Sequence, residues 1–207
     1  MRYAVACFLA TLLGAAGVPS SPKATVSSVT ILFDFDGKFS QKSLQEMKRE
    51  LASIMLGSGL QIDWRERSDV APSESFPNLV VVTFHGTCIM EPIPFLYDER
   101  GPLAFTYSSD GNILPFGEVA CNKVRSSIGK AMWGGDYRRS DTLLGRALAR
   151  VLAHELYHML AHTPEHAKTG LARHALSGSD LISDELRLNP TELNRIRSAM
   201  GVQDSPH

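Results

Sequence analysis

The chain carries 207 residues, and its 21 lysines and arginines nearly balance 22 acidic residues, for a net charge of −1. With no run of basic residues interleaved with aromatics, that balance excludes a nucleic-acid partner gripped by a basic face. A hydrophobic share of 43% can fill one core, and the length fits a single domain.

Arg2 is followed by an apolar run from Tyr3 to Leu13, then by small residues and a Pro/Ser-rich patch at Val18 to Pro22. Those three parts in that order predict a secretory signal peptide over residues 1–24, cleaved between Ala16 and Ala24. A buried N-terminal helix is the competing reading. About eleven apolar residues cannot span a bilayer, so no stable membrane anchor is expected. The expectation is a secreted or periplasmic monomer whose residues 25–207 form a single domain. Of three cysteines, Cys7 falls in the leader, which leaves Cys88 and Cys121. In an exported protein that pair predicts one disulfide, with two reduced, buried thiols as the alternative. Closing a loop of about 30 residues stabilises a fold by roughly 3–4 kcal/mol on the chain-entropy argument.

Val26–Phe35 alternates and is rich in β-branched and aromatic residues, which predicts a first strand ending at the Asp36-Gly37 turn. Asp34 and Asp36 resemble acidic metal or phosphotransfer motifs, but carboxylates before a glycine more commonly serve the turn itself. Ser40 caps a helix over Gln41–Leu56, with Leu44, Met47, Leu51 and Ile54 at helical spacing, and Gly57 and Gly59 end it. A short strand at Leu60–Arg65 and a Pro/Ser-rich loop follow. Leu79–Phe84, apolar apart from Thr83, predicts a central strand buried on both faces. That order of elements predicts a partly parallel sheet with helices on both sides.

Between Gly86 and Lys130, Pro92, Pro94, Pro102 and Pro115 break up two more strand candidates, Leu103–Tyr107 and Glu118–Val124. Short strands among such breakers suit a sheet edge, where an antiparallel strand is common and an extended peptide can add its backbone. An irregular loop region is the alternative. Gly129–Arg139 is loop-like, and Ser140 or Asp141 then starts a long helix to about Ala161. Its stripe of Leu144, Leu148, Val151, Leu152, Leu156 and Met159 turns inward, while Arg146 and Arg150 face water. Pro164 marks the end of regular helix. Asn189 as N-cap, Pro190 at the first position and Glu192 at the third predict a last helix reaching Met200. The fold class expected is α/β (α+β), a twisted mixed sheet with an antiparallel edge strand and a backing helix.

The long helix carries His154-Glu155-Leu156-Tyr157-His158, an H-E-x-x-H sequence. Histidines four apart lie one turn apart on one helical face, so both imidazoles reach one metal ion, with a carboxylate beside them. By chance the pattern arises in about 1% of chains of this length and composition, so its setting has to carry the argument. Five of the seven histidines fall between His154 and His174. A catalytic zinc site commonly has three protein ligands and an open position. His162 fails as the third on distance, because eight helical residues rise about 12 Å. His166, beyond Pro164, is the leading candidate; His174, Asp180, Glu165 and a distant glutamate are the alternatives.

At these residues the chain resembles the metzincin clan of zinc peptidases, whose signature H-E-x-x-H-x-x-G-x-x-H is matched at His154, Glu155 and His158. The resemblance implies ligand, general base and ligand for those three, and a zincin-like fold with a backing helix and an H-E-x-x-H active-site helix. Beyond His158 the chain departs. Ala161 stands where the glycine ends the helix and Pro164 where the third ligand falls, so a ligand at His166 lies two residues later. A methionine turn beneath the metal is not evident, since Met200 falls in a predicted helix and Met159 precedes the turn. Most of residues 25–207 also resembles a group of secreted bacterial proteins with H-E-L-Y-H followed by T-x-x-H-x-x-x-G, matched at Thr163, His166 and Gly170.

The reading these features support is a Zn2+-dependent endopeptidase acting on a peptide or protein substrate, with His154, His158 and His166 as ligands and Glu155 as general base. The developing oxyanion calls for a further donor, for which Tyr137 is the candidate. Tyr157, two positions after Glu155, points away from it and packs. No G-x-S-x-G occurs and the two cysteines read as structural, which disfavours serine and cysteine hydrolases. The competing reading is a secreted, non-catalytic binding protein that keeps the fold and its zinc; an intact Glu155 argues against it.

Overall fold

A computed structural model describes residues 27–91 and 100–202, so the predicted leader, Pro92 and Pro94 lie outside the described residues. Strands β1 (Ser28–Phe35), β2 (Gln61–Glu66), β3 (Leu79–His85), β4 (Ala104–Ser109) and β5 (Asn112–Ala120) form one sheet ordered β2-β1-β3-β5-β4. β1 pairs in parallel with β2 and β3, and β3 with β5; β4 alone runs antiparallel, at the edge. The helices are α1 (Gln41–Met55), α2 (Cys121–Ala131), α3 (Ser140–Ala161), α4 (Gly178–Ile182) and α5 (Pro190–Ala199). A mixed sheet with one antiparallel edge strand and helices behind it is thus present.

The helices gather on one face of the sheet, not two. Val29, Ile31 and Phe33 of β1 and Val80, Val82 and Phe84 of β3 share that face by register and are buried. On the opposite face Leu32, Val81 and Thr83 are half-buried, and Phe105, Tyr107 and Phe116 are exposed. The expectation of helices on both sides, and of a β3 buried on both faces, is corrected by that alternation. A strand reads as continuously apolar when its second face is only partly wet, so the run of valines did not settle the matter.

Two more boundaries moved. Asp110 and Gly111, both at positive φ (50° and 79°), join β4 to β5 as a tight hairpin, the use that Asp-Gly commonly serves. The strand candidate Glu118–Val124 therefore ends at Ala120, and Cys121 opens α2. Helix α2 gives little sequence warning, because Ala120 offers no side-chain cap and Gly129 interrupts the helical run.

α3 is a 22-residue helix running along α1 and over β4 and β5. Gly145 lets it approach α1, since a Cβ there would lie 2.4 Å from the Ser43 carbonyl oxygen. Arg150, expected to face water, is fully buried. Its Nε and Nη2 donate to Glu50 Oε1 of α1 at 3.2 and 3.1 Å, and its Nη1 donates to the Asp180 and Leu181 carbonyls. Arg146 is also largely covered, donating to the carbonyls of Ile182 and Ser183 and to Asp184. A helix packed on three sides has no wide polar face, and guanidinium forks can satisfy buried carbonyls. Cys88 and Cys121 stand at disulfide distance, with Cα atoms 5.0 Å apart, joining the loop after β3 to the start of α2.

Candidate metal centre

His154 and His158 sit in the last two turns of α3, and the chain must then reverse to add anything to them. It does so at His162, the left-handed cap of the helix (φ 49°), whose N–H donates to the His158 carbonyl. Thr163 N–H reaches the same carbonyl at 3.2 Å. Pro164 prevents the helix from resuming, and His166 returns toward the two helical imidazoles. The ring centroids of His166 and His158 are 4.7 Å apart, and those of His166 and His154 5.2 Å. One nitrogen from each of His154, His158 and His166 lies within 4.8 Å of the others, close enough to bind one metal ion.

The hydrogen bonds suit a metal. His154 Nδ1 donates to the Leu171 carbonyl at 2.9 Å and His158 Nδ1 to the Thr163 carbonyl at 2.7 Å. Each bond fixes the proton on Nδ1 and leaves Nε2 as a lone pair. Those two Nε2 atoms then face each other at 3.2 Å. Two lone pairs at that separation repel unless a cation or a proton sits between them. For a tetrahedral ion with metal–nitrogen bonds near 2.1 Å, ligand nitrogens are expected about 3.4 Å apart. Burial lowers the pKa of His154 and His158, and His166 is pushed down to about 4 by desolvation and the neighbouring imidazoles. All three are therefore neutral, the state that ligates, at physiological pH.

Glu155 is buried and lines a cleft of about 250 Å³ with His154, Val151, Leu103, His174 and Leu176. Burial raises its pKa, while a hydrogen bond from Thr106 and the nearby His158 oppose the rise. That bond runs from Thr106 Oγ1 on β4 to Glu155 Oε2 at 2.7 Å. A larger hollow, about 390 Å³ beside Lys123 and Lys130, contains none of the histidines, so volume alone does not locate the chemistry.

The turn that carries His166 is held from outside. Arg195 of α5 donates to Tyr157 OH at 3.1 Å and to Glu165 Oε2 at 3.0 Å, tying α5 to α3 and to the residue before His166. Asn189 Nδ2 donates to the Thr169 carbonyl, and Leu171 N–H to the Arg187 carbonyl.

Of the residues singled out in the sequence, His154, Glu155, His158 and His166 come together. His162 is exposed and outside the cluster, and Asp180 is taken up by Ser177 and Arg173. His174 reaches the cleft, its ring 4.9 Å from that of His166, without joining the cluster. Tyr137 is not brought there. It lies before α3, 60% exposed, with its OH on the Met132 carbonyl, and Ser140 to His154 alone rises about 21 Å along the helix. That placement leaves the expected Tyr137 donor at the far end of α3 from the three histidines. Thr106 was missed, since nothing in its local sequence marks it. Compared with known protein families and with curated proteins, the chain matches none.

Proposed function

We propose that the protein is a zinc-dependent endopeptidase, with His154, His158 and His166 as ligands and Glu155 as general base. The observation that carries this reading is a converging set of three neutral imidazoles with a buried carboxylate beside it in an open cleft. Zinc, when bound there, lowers the pKa of water and polarises a scissile carbonyl. Glu155 takes the proton of the attacking water and returns it to the leaving amine. β4, the antiparallel edge strand, borders the same cleft through Ala104, with Leu103 just before it, and its outer edge pairs with no strand among the described residues, which offers backbone groups to an extended peptide.

The metzincin resemblance at His154, Glu155 and His158 is part of this reading, and a five-stranded mixed sheet with one antiparallel edge strand is compatible with it. The departure in the signature has a simple accommodation here. The left-handed residue is His162, one position later than 161, and one further residue in the turn brings the returning histidine to 166, two positions later than 164. Export through the N-terminal leader fits the Cys88–Cys121 pair, which needs an oxidising compartment to form a disulfide. No described helix is long and apolar enough to cross a membrane.

Metal analysis and a peptide library test the reading together. Purified protein should carry one zinc and cut peptides internally, with the cuts mapped by mass spectrometry. E155A should keep the metal and lose cleavage by orders of magnitude, while H166A should lose the metal. Fully metallated wild type that leaves a broad library intact would give the site to the non-catalytic binding reading.

A further inference from the structure

The base is held by a residue 49 positions away in the chain, and three features of the sheet put it there. Thr106 lies on β4 opposite Gly117 of β5, on the face that α3 covers. A Cβ on Gly117 would meet Met159 Cε at 2.4 Å and the Phe105 carbonyl oxygen at 3.1 Å. The missing side chain leaves room for the end of Met159, one helical turn after Glu155 on α3. Directly after Thr106 the β4–β5 ladder breaks: Leu114, Pro115 and Phe116 stand against the single Tyr107 before pairing resumes at Ser108 and Ile113. Pro115 has no N–H to continue the ladder, and such irregularities turn a strand and re-aim its side chains. The outcome is a short side chain whose hydroxyl meets Glu155 Oε2 at 2.7 Å, with the Glu155 carbonyl oxygen 3.4 Å away.

From this geometry we infer that Thr106 is a positioning residue for Glu155, supplied by the strand along which substrate binds. The inference rests on the peptidase reading for its consequence, though not for the contact itself. A buried carboxylate with no fixed partner turns about its side-chain torsions, and either oxygen can face the cleft. Thr106 occupies Oε2, which leaves Oε1 without a hydrogen-bond partner among the described residues and free to accept the proton. Because Thr106 belongs to β4, any shift of the edge strand when peptide pairs with it is passed directly to the base.

The test compares T106V, which keeps the shape and removes the donor, with T106S, which restores the donor, and with E155Q. Each is loaded with Co2+, whose visible spectrum reports the ligands and the hydrogen bonding around the ion. Each is also assayed in its zinc form on the pooled peptide library. T106V should bind one Co2+ as wild type does, but with a spectrum displaced toward that of E155Q. Its kcat should fall roughly 10- to 100-fold with KM within about twofold, the pattern of a lost transition-state contact. T106S should return both readouts toward wild type. Should T106V not fold, T106A makes the same comparison with less demand on packing. A T106V protein with the wild-type spectrum overturns the positioning role, as does unchanged kcat. If metallated wild type cuts no peptide, the peptidase reading falls, and the cobalt spectra alone still decide whether Thr106 orients Glu155.

Discussion

At position 162 a histidine occupies left-handed backbone (φ 49°), a conformation that costs a β-carbon-bearing residue about 1 kcal/mol relative to glycine. The strain sits where α3 must stop so that His166 can turn back. H162G is therefore expected to retain a full complement of metal and to raise the melting temperature of the metal-free protein by about 2–4 °C. H162V should lower it. Loss of metal in H162G at unchanged stability would mean that the imidazole itself contributes to binding. The motif residues were legible because four-residue spacing on a helix dictates geometry directly. His166 was legible for a weaker reason: a proline and a short return bring few candidates within reach. Thr106 was not legible, since a contact across 49 residues exists only once β4 lies over α3.

Among the strands, the open sheet face holds a chain of polar contacts joining four elements. His85 at the end of β3 donates from Nδ1 to Asp36 after β1 (2.5 Å) and from Nε2 to Glu118 of β5 (3.1 Å), and Glu118 accepts from Tyr107 of β4. The Asp36 hydrogen bond raises the His85 pKa most, against burial, and the charge of Glu118 adds to it. The Asp36 pKa is lowered by His85 and by the Gly86 N–H. A raised histidine pKa stabilises the fold fully below the unfolded value of about 6.5, and that stability is lost as pH rises through the folded value. The lowered Asp36 pKa acts oppositely, its contribution disappearing only as pH falls through the depressed value in acid. Both side chains are nearly half exposed, so the His85 share is about 0.5 kcal/mol or less. The wild-type minus H85N difference in urea stability, measured on metal-free protein, should shrink between about pH 6 and pH 9. Taking the difference cancels His154, His158 and His166, whose lowered pKa values make the metal-free protein lose stability as pH falls. A difference that stays flat, or grows with pH, would mean that the charged form of His85 does not stabilise this end of the sheet. Asp36 was read as a turn residue, and its bond to the Gly86 N–H at 2.6 Å agrees with a structural role at that strand end.

Among the described residues, the most buried ion pair is that of Arg150 and Glu50, with Arg187 adding a bond to Glu50 Oε1 at 2.9 Å. It links α1, α3 and the segment before α5, so the helix bearing His154 and His158 is fixed to the rest of the fold one turn before His154. Removing one partner of such a pair leaves the other charge buried without compensation. E50A should therefore cost about 3–5 kcal/mol in urea unfolding, far more than truncation of an exposed pair such as Lys38–Glu91. A loss below about 1 kcal/mol would show that Arg150 finds water or another acceptor.

What the sequence determined by itself is local and periodic. It set the extent of α1 and α3, the capped start of α5, where Glu192 Oε2 accepts from the Asn189 N–H, and the pairing of His154 with His158. Each follows from spacing along one element, which the chain carries without reference to anything else. The tertiary structure alone decided which face of the sheet the helices cover, that Arg150 is buried, that Tyr137 lies far from the metal site, and that Thr106 meets Glu155. Those facts depend on where a second element comes to rest, and that placement is fixed by packing summed over the whole core.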